Sequence, residues 1–365
     1  WDALESLIKL EAAAAGSDDS VGGEGDNVSC GDVVNTDMLV KQLPGGLKDS
    51  SGAELAAGSG WEVFTRLEEL HWSGTFSYQG KTWNVSNWDR TTTLEFIKEH
   101  HQSLAESGSY DGKLRDGGDD IIVGGGGNDV IYGQEGNDVI VGGNWHYKGL
   151  GGDDAFEQIL MEVKAAYNKS NPSVDEIREY LSHNLDNIGY GDSSDGNNTL
   201  VCGIGNDLIL GGGGNDIIYG TGGSDTLFGG GGNDLIYADE GNNIIYGGTG
   251  NDTMFGGVGD NIFAWTRLDR DGGTDVISDF KLNKDKICFH DLFDEYSELG
   301  DMVSNNEIQL SANAGDRKSL TLTLDDQTVQ IQLDSALSAQ QVNDINNNDA
   351  DAIAAMLKIL LVTDF

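Results

Sequence analysis

The 365-residue chain is short of the residues that break or brace most folds. It has 2 prolines beside 54 glycines. Glycine without proline excludes a collagen triple helix and argues against a Pro-rich linker. Its 3 cysteines, Cys30, Cys202 and Cys288, are far apart and odd in number. That usage suggests no disulfide framework, and no Cys-x-x-Cys metal spacing occurs, so they read as isolated thiols. No uninterrupted apolar run is long enough to cross a bilayer. No basic segment followed by an apolar one opens the chain, as a secretory leader would. Cationic side chains are the scarcest resource: 21 Lys and Arg face 62 Asp and Glu, a net charge of −41. Nucleic acid is excluded as a partner, because phosphate binding needs clustered Lys and Arg, and an anionic membrane surface is disfavoured. Such charge opposes compaction unless cations are bound. Composition therefore points to a cation-dependent fold, with length enough for two or three domains.

What is abundant is a repeat. From Cys202 the chain reads CGIGNDLIL, GGGGNDIIY, GTGGSDTLF, GGGGNDLIY, ADEGNNIIY, GGTGNDTMF, GGVGDNIFA. The period is nine. Position four is always Gly, from Gly205 to Gly259. Position six is Asp207, Asp216, Asp225, Asp234, Asn243, Asp252 and Asn261. Position eight is large and apolar: Ile209, Ile218, Leu227, Ile236, Ile245, Met254 and Phe263. A second block, GGGGNDVIY and GQEGNDVIV, spans Gly124 to Val141 and adds Asp129 and Asp138. Glycines permit a sharp turn at positive φ and let carbonyls face inward. A carboxylate at position six is a hard oxygen donor suited to calcium. The three residues after it form a short strand whose central side chain points inward. One repeat cannot bury that side chain; stacked repeats can. A Gly-rich linker would need neither phased Asp nor phased Ile.

The pattern G-G-x-G-x-D-x-U-x resembles the repeats-in-toxin (RTX) family of secreted calcium-binding proteins. The resemblance implies a mainly β fold, a right-handed parallel β-roll with two nonads per turn and Ca2+ ions between successive turns on each edge. It implies that position-six side chains two nonads apart share an ion. It also implies carbonyl ligands from the glycine loops, here Gly124, Gly126, Gly133, Gly211, Gly213, Gly220, Gly222, Gly229, Gly231 and Gly247.

The repeat breaks twice and keeps phase. Gly142, Gly143 and Asn144 join Gly196 as GGN plus GNNTLV, which makes Asn198 a position-six residue and 145–195 an insertion. Gly31, Asp32 and Val33 join Gly118 as GDV plus GDDIIV, which places Asp120 at position six and makes 34–117 an insertion. Before that, residues 22–30 form a degraded nonad. We therefore expect one solenoid of twelve nonads over 22–264; the alternative is two rolls around a helical linker. Each insertion shows apolar spacings of three and four and reads as a helical hairpin. Phe64 matches Phe156, Leu67 matches Ile159, Phe96 matches Tyr180, Ile97 matches Leu181 and Leu104 matches Ile188. Ser173 and Glu176 form a capping box. Residues 1–21 read as the end of a truncated third hairpin, with Trp1, Leu4 and Leu7 in the places of Trp61, Phe64 and Leu67. Odd and even nonads should occupy opposite edges, so the two hairpins should leave from opposite edges.

Within the first insertion, residues around Gln79-Gly80-Lys81 alternate as a β-hairpin. Trp61, Trp72, Trp83 and Trp88 crowd this stretch. Such aromatics could stack on sugars, or could fill a small satellite core. After Phe263 the composition changes. Residues 272–280, GGTDVISDF, resemble the segment that closes the roll in RTX adhesins. SLTLTL and TVQIQL around Asp325-Asp326-Gln327 should form a β-hairpin, a short helix should follow Asp349, and LKILLVTDF ends the chain as a strand-like run. Residues 265–365 thus read as a β-rich cap. They resemble the C-terminal target region of type I-secreted agglutinins, and both roles can hold.

No catalytic motif was found: there is no His-Glu-x-x-His and no Gly-x-Ser-x-Gly, and His71, His100, His101, His146, His183 and His290 are dispersed. The expectation is a non-enzymatic calcium-dependent module at the distal end of a bacterial surface adhesin, acting in cell adhesion and biofilm. Its partners would be calcium, the type I secretion machinery, and a host or biofilm surface ligand met through upstream regions. The competing class is the secretion tail of an extracellular protease or lipase.

Overall fold

The computed structural model describes residues 120–362 with short breaks at 144, 171, 185–186, 191–195, 267, 270, 290–298 and 325–326. Before that it describes 19–24, 28–30, 75–78, 80–84, 86, 88, 92–93 and 96. The helix expected at 1–10, most of the helical hairpin expected within 34–117, the joint of 31–33 to 118–119 and the end 363–365 lie outside the described residues.

Two parallel sheets face each other. The first runs Asp19–Glu24, Ile121–Gly126, Val139–Val141, Leu208–Gly213, Thr226–Gly231, Ile244–Thr249, Ile262–Trp265, Lys286–Phe289 and Leu361–Val362. The second runs Val28–Cys30, Val130–Glu135, Thr199–Ile204, Ile217–Gly222, Leu235–Tyr237, Thr253–Phe255, Thr274–Phe280 and Gln327–Leu333, then turns antiparallel into Ser319–Leu324 and Ile308–Ala312. Even nonads supply the first sheet and odd nonads the second, so each coil of two nonads contributes one strand to each.

Strand register decides between one solenoid and two. Thr199 pairs with Ile217 on one side and with Val130 on the other. Ile217 lies two nonads ahead. Val130 lies two nonads behind once the insertion 145–195 is set aside. Gly142 donates to the Leu210 carbonyl at 2.8 Å, and Asn197 donates to Asn128 Oδ1 at 2.8 Å. Residues 142–143 and 196–201 therefore belong to one coil. The earlier break behaves likewise. Asp19 pairs with Ile121 and Val28 with Val130, and each offset is one coil once 34–117 is set aside. The strand Asp19–Glu24 corrects the expected boundary at Gly22: Asp19–Val21 already belong to the roll, not to a helical remnant. The signal was in phase in the sequence, with Gly16 at position four and Asp18 at position six, and was masked by Ser20 where an apolar residue belongs.

Position-eight side chains stack between the sheets. Ile122, Ile131, Ile140, Leu200, Ile209, Ile218, Leu227, Ile236, Ile245, Met254 and Phe263 are all buried, in one cluster that runs on through Ile277, Ile287 and Leu361. The cap is thus continuous with the roll, extending both sheets. This protects the last strands' edges from open pairing.

The second insertion forms two helices, α1 (Gly152–Tyr167) and α2 (Val174–Ser182), and the Ser173–Glu176 capping box is present. Ile159, Val163, Ile177 and Leu181 pack with Leu208, Leu210, Phe228 and Tyr246 on the outer face of the first sheet. That explains why Leu208–Gly213 and Thr226–Gly231 are buried throughout, whereas Ile217–Gly222 alternates. A feature absent from the sequence reading ties the base of the hairpin: Trp145–Tyr147 pairs antiparallel with Ile188–Tyr190 and with Leu150–Gly151. Ile188 is therefore a strand residue rather than the helical one expected. Asn184 donates from Nδ2 to the Tyr180 carbonyl at 2.8 Å, and its N–H to the Leu181 carbonyl, which ends the helix before it.

In the first insertion the expected β-hairpin pairs Phe76 with Trp83 and Tyr78 with Lys81, and Gly80 between them turns at φ +87°. Trp83, Trp88 and Phe96 are buried against one another, with centroids 5.0–5.9 Å apart. Their faces are used in a satellite core and are closed to a sugar; Trp61 and Trp72 lie outside the described residues. In the cap, helices α3 (Leu299–Ser304), α4 (Ala339–Asn346) and α5 (Ala350–Leu360) flank the hairpin Ser319–Leu324/Gln327–Leu333. Asp349 caps α5 by accepting from Ala352 N–H at 3.0 Å. The helix runs to Leu360, so the terminal run expected as a strand is helical until Leu361. The helical stripe Ile353, Met356, Leu357 and Leu360 is what the core takes up.

Candidate metal centre

Position six forms two ladders, one per edge. On one edge Asp129 N–H donates to Asn198 Oδ1 at 2.8 Å, Asn198 to Asp216 at 2.7 Å, Asp216 to Asp234 at 2.8 Å, and Asp234 to Asp252 at 2.8 Å. On the other, Asp120 N–H donates to Asp138 Oδ1, Asp138 to Asp207, Asp207 to Asp225, Asp225 to Asn243 and Asn243 to Asn261, at 2.7–3.0 Å. Every one of these side chains is buried. From Asp138 on one edge and Asn198 on the other, each uses Oδ1 to hold the coil before it, which leaves the second oxygen of each such Asp for another partner.

The second oxygen points at the position-one glycine. A Cβ on Gly220 would lie 2.7 Å from Asp225 Oδ2 and 2.7 Å from the Ala238 carbonyl oxygen. Gly229 stands the same way to Asp234 Oδ2 and the Gly247 carbonyl, Gly211 to Asp216 and the Gly229 carbonyl, Gly133 to Asp138 and the Cys202 carbonyl, and Gly124 to Asp129 and the Gly142 carbonyl, all closer than 3.0 Å. Gly247 faces Asp252 Oδ2. Hydrogen in place of a side chain keeps this cradle open. Two acceptor oxygens converge there, and Asp234 Oδ2 and Asp252 Oδ2 are buried with no hydrogen bond. A buried carboxylate oxygen without a donor is costly; hard oxygens facing each other without a proton between them fit a calcium ion.

Electrostatics state the same demand. Burial, then the charge of Asp216, pushes the Asp234 carboxyl well above its ordinary range. Asp252 is raised by burial and by Asp234 and Asp275. Like charges stacked two nonads apart in the interior require a counter-cation.

The position-three glycines, expected as carbonyl ligands too, end their strands. The Gly222 carbonyl accepts from Gly205 N–H at 2.9 Å. The strands holding Gly126, Gly213 and Gly231 pair these residues in register, Gly213 with Gly231 and Gly126 with Glu24. The position-one carbonyls lie beside the carboxylates at the cradles. The invariant position-four glycines are demanded by contact as well as by turning: Gly223, Gly232, Gly241, Gly250 and Gly259 all have positive φ, and a Cβ on each would strike a carbonyl one coil back.

Sequence reasoning missed three things. Position five forms a second, exposed ladder: Asn206, Asn215 and Asn233 accept at Oδ1 from the N–H of Ser224, Asn233 and Asn251 at 2.7–2.9 Å. Its signal was the recurrent Asn before position six. The carboxylate ladders also continue into the cap: Asp252 N–H donates to Asp275 at 2.9 Å and Asn261 N–H to Asp285 at 3.0 Å. These offsets, 23 and 24, break the period, which hid them. Asp275 Oδ2 is held by Trp265 Nε1 and Gln327 Nε2, both at 2.7 Å, and burial raises its carboxyl to about 6. Finally, Cys202 occupies position one, and its Sγ clusters within 4.8 Å of Asp207 and Asp225 oxygens. Burial, then Asp207, pushes its thiol up. Cys202 and Cys288 are buried and in no disulfide.

The family model of the RTX calcium-binding nonapeptide repeat matches residues 116–144, 192–227 and 228–263. The gap between the first two matches coincides with the second insertion. No curated protein matches the chain. The chain carries RTX repeats folded as a parallel β-roll, and these repeats bind Ca2+.

Proposed function

From repeats that bind calcium, we propose that this chain is the calcium-triggered folding and type I secretion module of a large bacterial surface adhesin. RTX repeats are typical of proteins exported by type I machinery. The observation that carries the reading is the pair of buried oxygens, Asp234 Oδ2 and Asp252 Oδ2, with no hydrogen-bond donor. A chain of net charge −41 built around such carboxylates has a weak folded state without cations. Calcium binds the folded loops and not the coil, so its binding energy drives folding. Low cytosolic calcium keeps the chain unfolded and able to thread an exporter; external calcium at millimolar levels then folds it. The helical insertions and the agglutinin-like end favour an adhesin over an enzyme tail. Among the described residues, no helix is long and apolar enough to cross a membrane.

Two measurements test this. Far-UV circular dichroism should show a largely disordered chain in chelator and β-rich structure in millimolar calcium; a chelated protein as folded as the calcium form would sink the folding switch. The sequence upstream separates the two classes. Tandem Ig-like repeats support the adhesin, and a zincin or hydrolase motif overturns it.

A further inference from the structure

The ladders hold two kinds of rung. At an Asp rung, Asp234 Oδ2 and the Gly247 carbonyl converge on the Gly229 cradle, two acceptors with no donor between them. At Asn198, Oδ1 accepts from Asp129 N–H as a carboxylate would, and this fixes which way the amide faces. Nδ2 then enters the cradle. It donates to the Gly211 carbonyl at 3.3 Å, and a Cβ on Gly142 would lie 3.0 Å from that nitrogen and 2.6 Å from that oxygen. The amide N–H stands where the cation of an Asp rung is called for.

On the other edge Asn243 and Asn261 also turn Oδ1 to the preceding coil and Nδ2 to an acceptor, but to a different acceptor from the facing position-one carbonyl. Asn243 Oδ1 accepts from Asp225, and Nδ2 reaches the Ala238 and Gly241 carbonyls at 3.4 and 3.5 Å. Its own position-one residue is Ala238, buried, which carries a methyl where Gly211, Gly220, Gly229 and Gly247 carry a hydrogen. Asn261 Oδ1 accepts from Asn243, and Nδ2 donates to Asp285 Oδ1 at 3.3 Å. The next rung, Asp285, has its second oxygen held by Lys281 N–H at 2.7 Å.

We propose that the Asn198, Asn243 and Asn261 rungs bind no calcium, and that the asparagine amide is a built-in substitute for the ion. An amide supplies a donor and no charge, so it satisfies a neighbouring acceptor, the facing Gly211 carbonyl in the case of Asn198, and adds nothing to like-charge repulsion. Ions are then confined to rungs with Asp at position six and Gly at position one. The even edge ends, next to the cap, in three consecutive rungs that need no ion: Asn243, Asn261 and Asp285. That end of the roll can close before calcium arrives and offer a formed coil to the Asp rungs. The inference rests on the calcium reading above and specifies which levels of the roll obey it.

The test counts ions. Bound calcium per chain is measured by elemental analysis after equilibrium dialysis, with folding followed by circular dichroism. Asn198→Asp, whose cradle is open, should gain one ion. Asn243→Asp should gain none while Ala238 remains, and Ala238→Gly with Asn243→Asp should gain one. Asp234→Asn should lose one ion and lower the calcium concentration at which the roll folds. This last variant keeps the test decisive should Asn198→Asp not fold. A wild-type chain that binds calcium while Asn198→Asp binds no more, or Asp234→Asn no less, overturns the inference alone. A wild-type chain that binds no calcium overturns the underlying reading instead.

Discussion

Gly229→Ala places one methyl in one cradle. Gly229 is not among the positive-φ residues, so the backbone tolerates alanine there. The new Cβ would lie closer than 3.0 Å to both Asp234 Oδ2 and the Gly247 carbonyl, between the two oxygens that an ion would bridge. Two effects follow and respond differently to calcium. Crowding costs about 1–3 kcal/mol at any calcium level. Loss of the ion costs a term that grows with calcium, about 2.7 kcal/mol when free calcium is a hundredfold above the dissociation constant, and about 1.4 kcal/mol more per further decade. The expected total at that concentration is about 4–6 kcal/mol, falling to the crowding term alone in chelator. Two glycines frame the result. Gly222→Ala meets open space at a permissive φ and should change little. Gly230→Ala combines φ +111° with a clash against the Gly212 carbonyl and should lose stability regardless of calcium. Urea denaturation followed by circular dichroism across a calcium series reads all three. A Gly229→Ala loss that is the same at every calcium concentration would refute the assignment of the cradle to an ion.

Other consequences follow from the same geometry. Asp216→Ala and Asp234→Ala should cost less together than the sum of the singles, because Asp234 Oδ1 holds Asp216 N–H and Gly229 belongs to both cradles; strict additivity in a denaturation cycle would mean that the two rungs are independent. Deleting residues 145–195 should leave a calcium-binding roll with lower stability and greater dye binding. The deletion uncovers Leu208, Leu210, Phe228 and Tyr246, and loss of calcium binding would contradict the continuous coil. Acid should partly replace calcium. The Asp234, Asp252 and Asp275 carboxyls are raised in the folded state, so the ion-free fold binds more protons than the coil. That stability is fully present below the ordinary carboxylate range near pH 4 and is lost as pH rises through the folded values, for Asp275 about 6. Metal-free protein should therefore hold more β structure at pH 4.5 than at pH 7.5, and the opposite order in circular dichroism would contradict the burial of these groups. Glu162 behaves in reverse. Lys148, with Tyr180, Gln158 and Tyr147, lowers its carboxyl to about 2, so its hold on the hairpin is present above its ordinary range near 4.5 and lost as pH falls through 2. Glu162→Gln should loosen α1 and α2 at neutral pH, measured as faster amide exchange there and not in the roll.

The sequence by itself determined everything that repeats with the period. Position-six oxygen and position-four glycine recur in every nonad, and an apolar position eight in all but the degraded first, so parity of the nonad assigns each strand to its sheet and each carboxylate to its edge. Phase at Asn144/Gly196 was enough to place both ends of the insertion 145–195 in one coil, because a coil that slipped by one position would turn every apolar side chain outward. Caps such as Ser173–Glu176 and Asp349 were legible for the same reason: their partners lie within one helical turn. Tertiary structure decided what no period encodes. Asp275 and Asp285 join the ladders at offsets of 23 and 24, Gln327 reaches Asp275 from a distant strand, and Leu361 joins the first sheet beside Ile287. The hairpin's choice of the first sheet rests on how Ile159, Val163, Ile177 and Leu181 meet Phe228 and Tyr246. Asp and Asn look interchangeable in the repeat because both offer Oδ1 to the preceding coil. Only the cradle behind them, with a carbonyl facing either a bare oxygen or an N–H, tells one rung from the other.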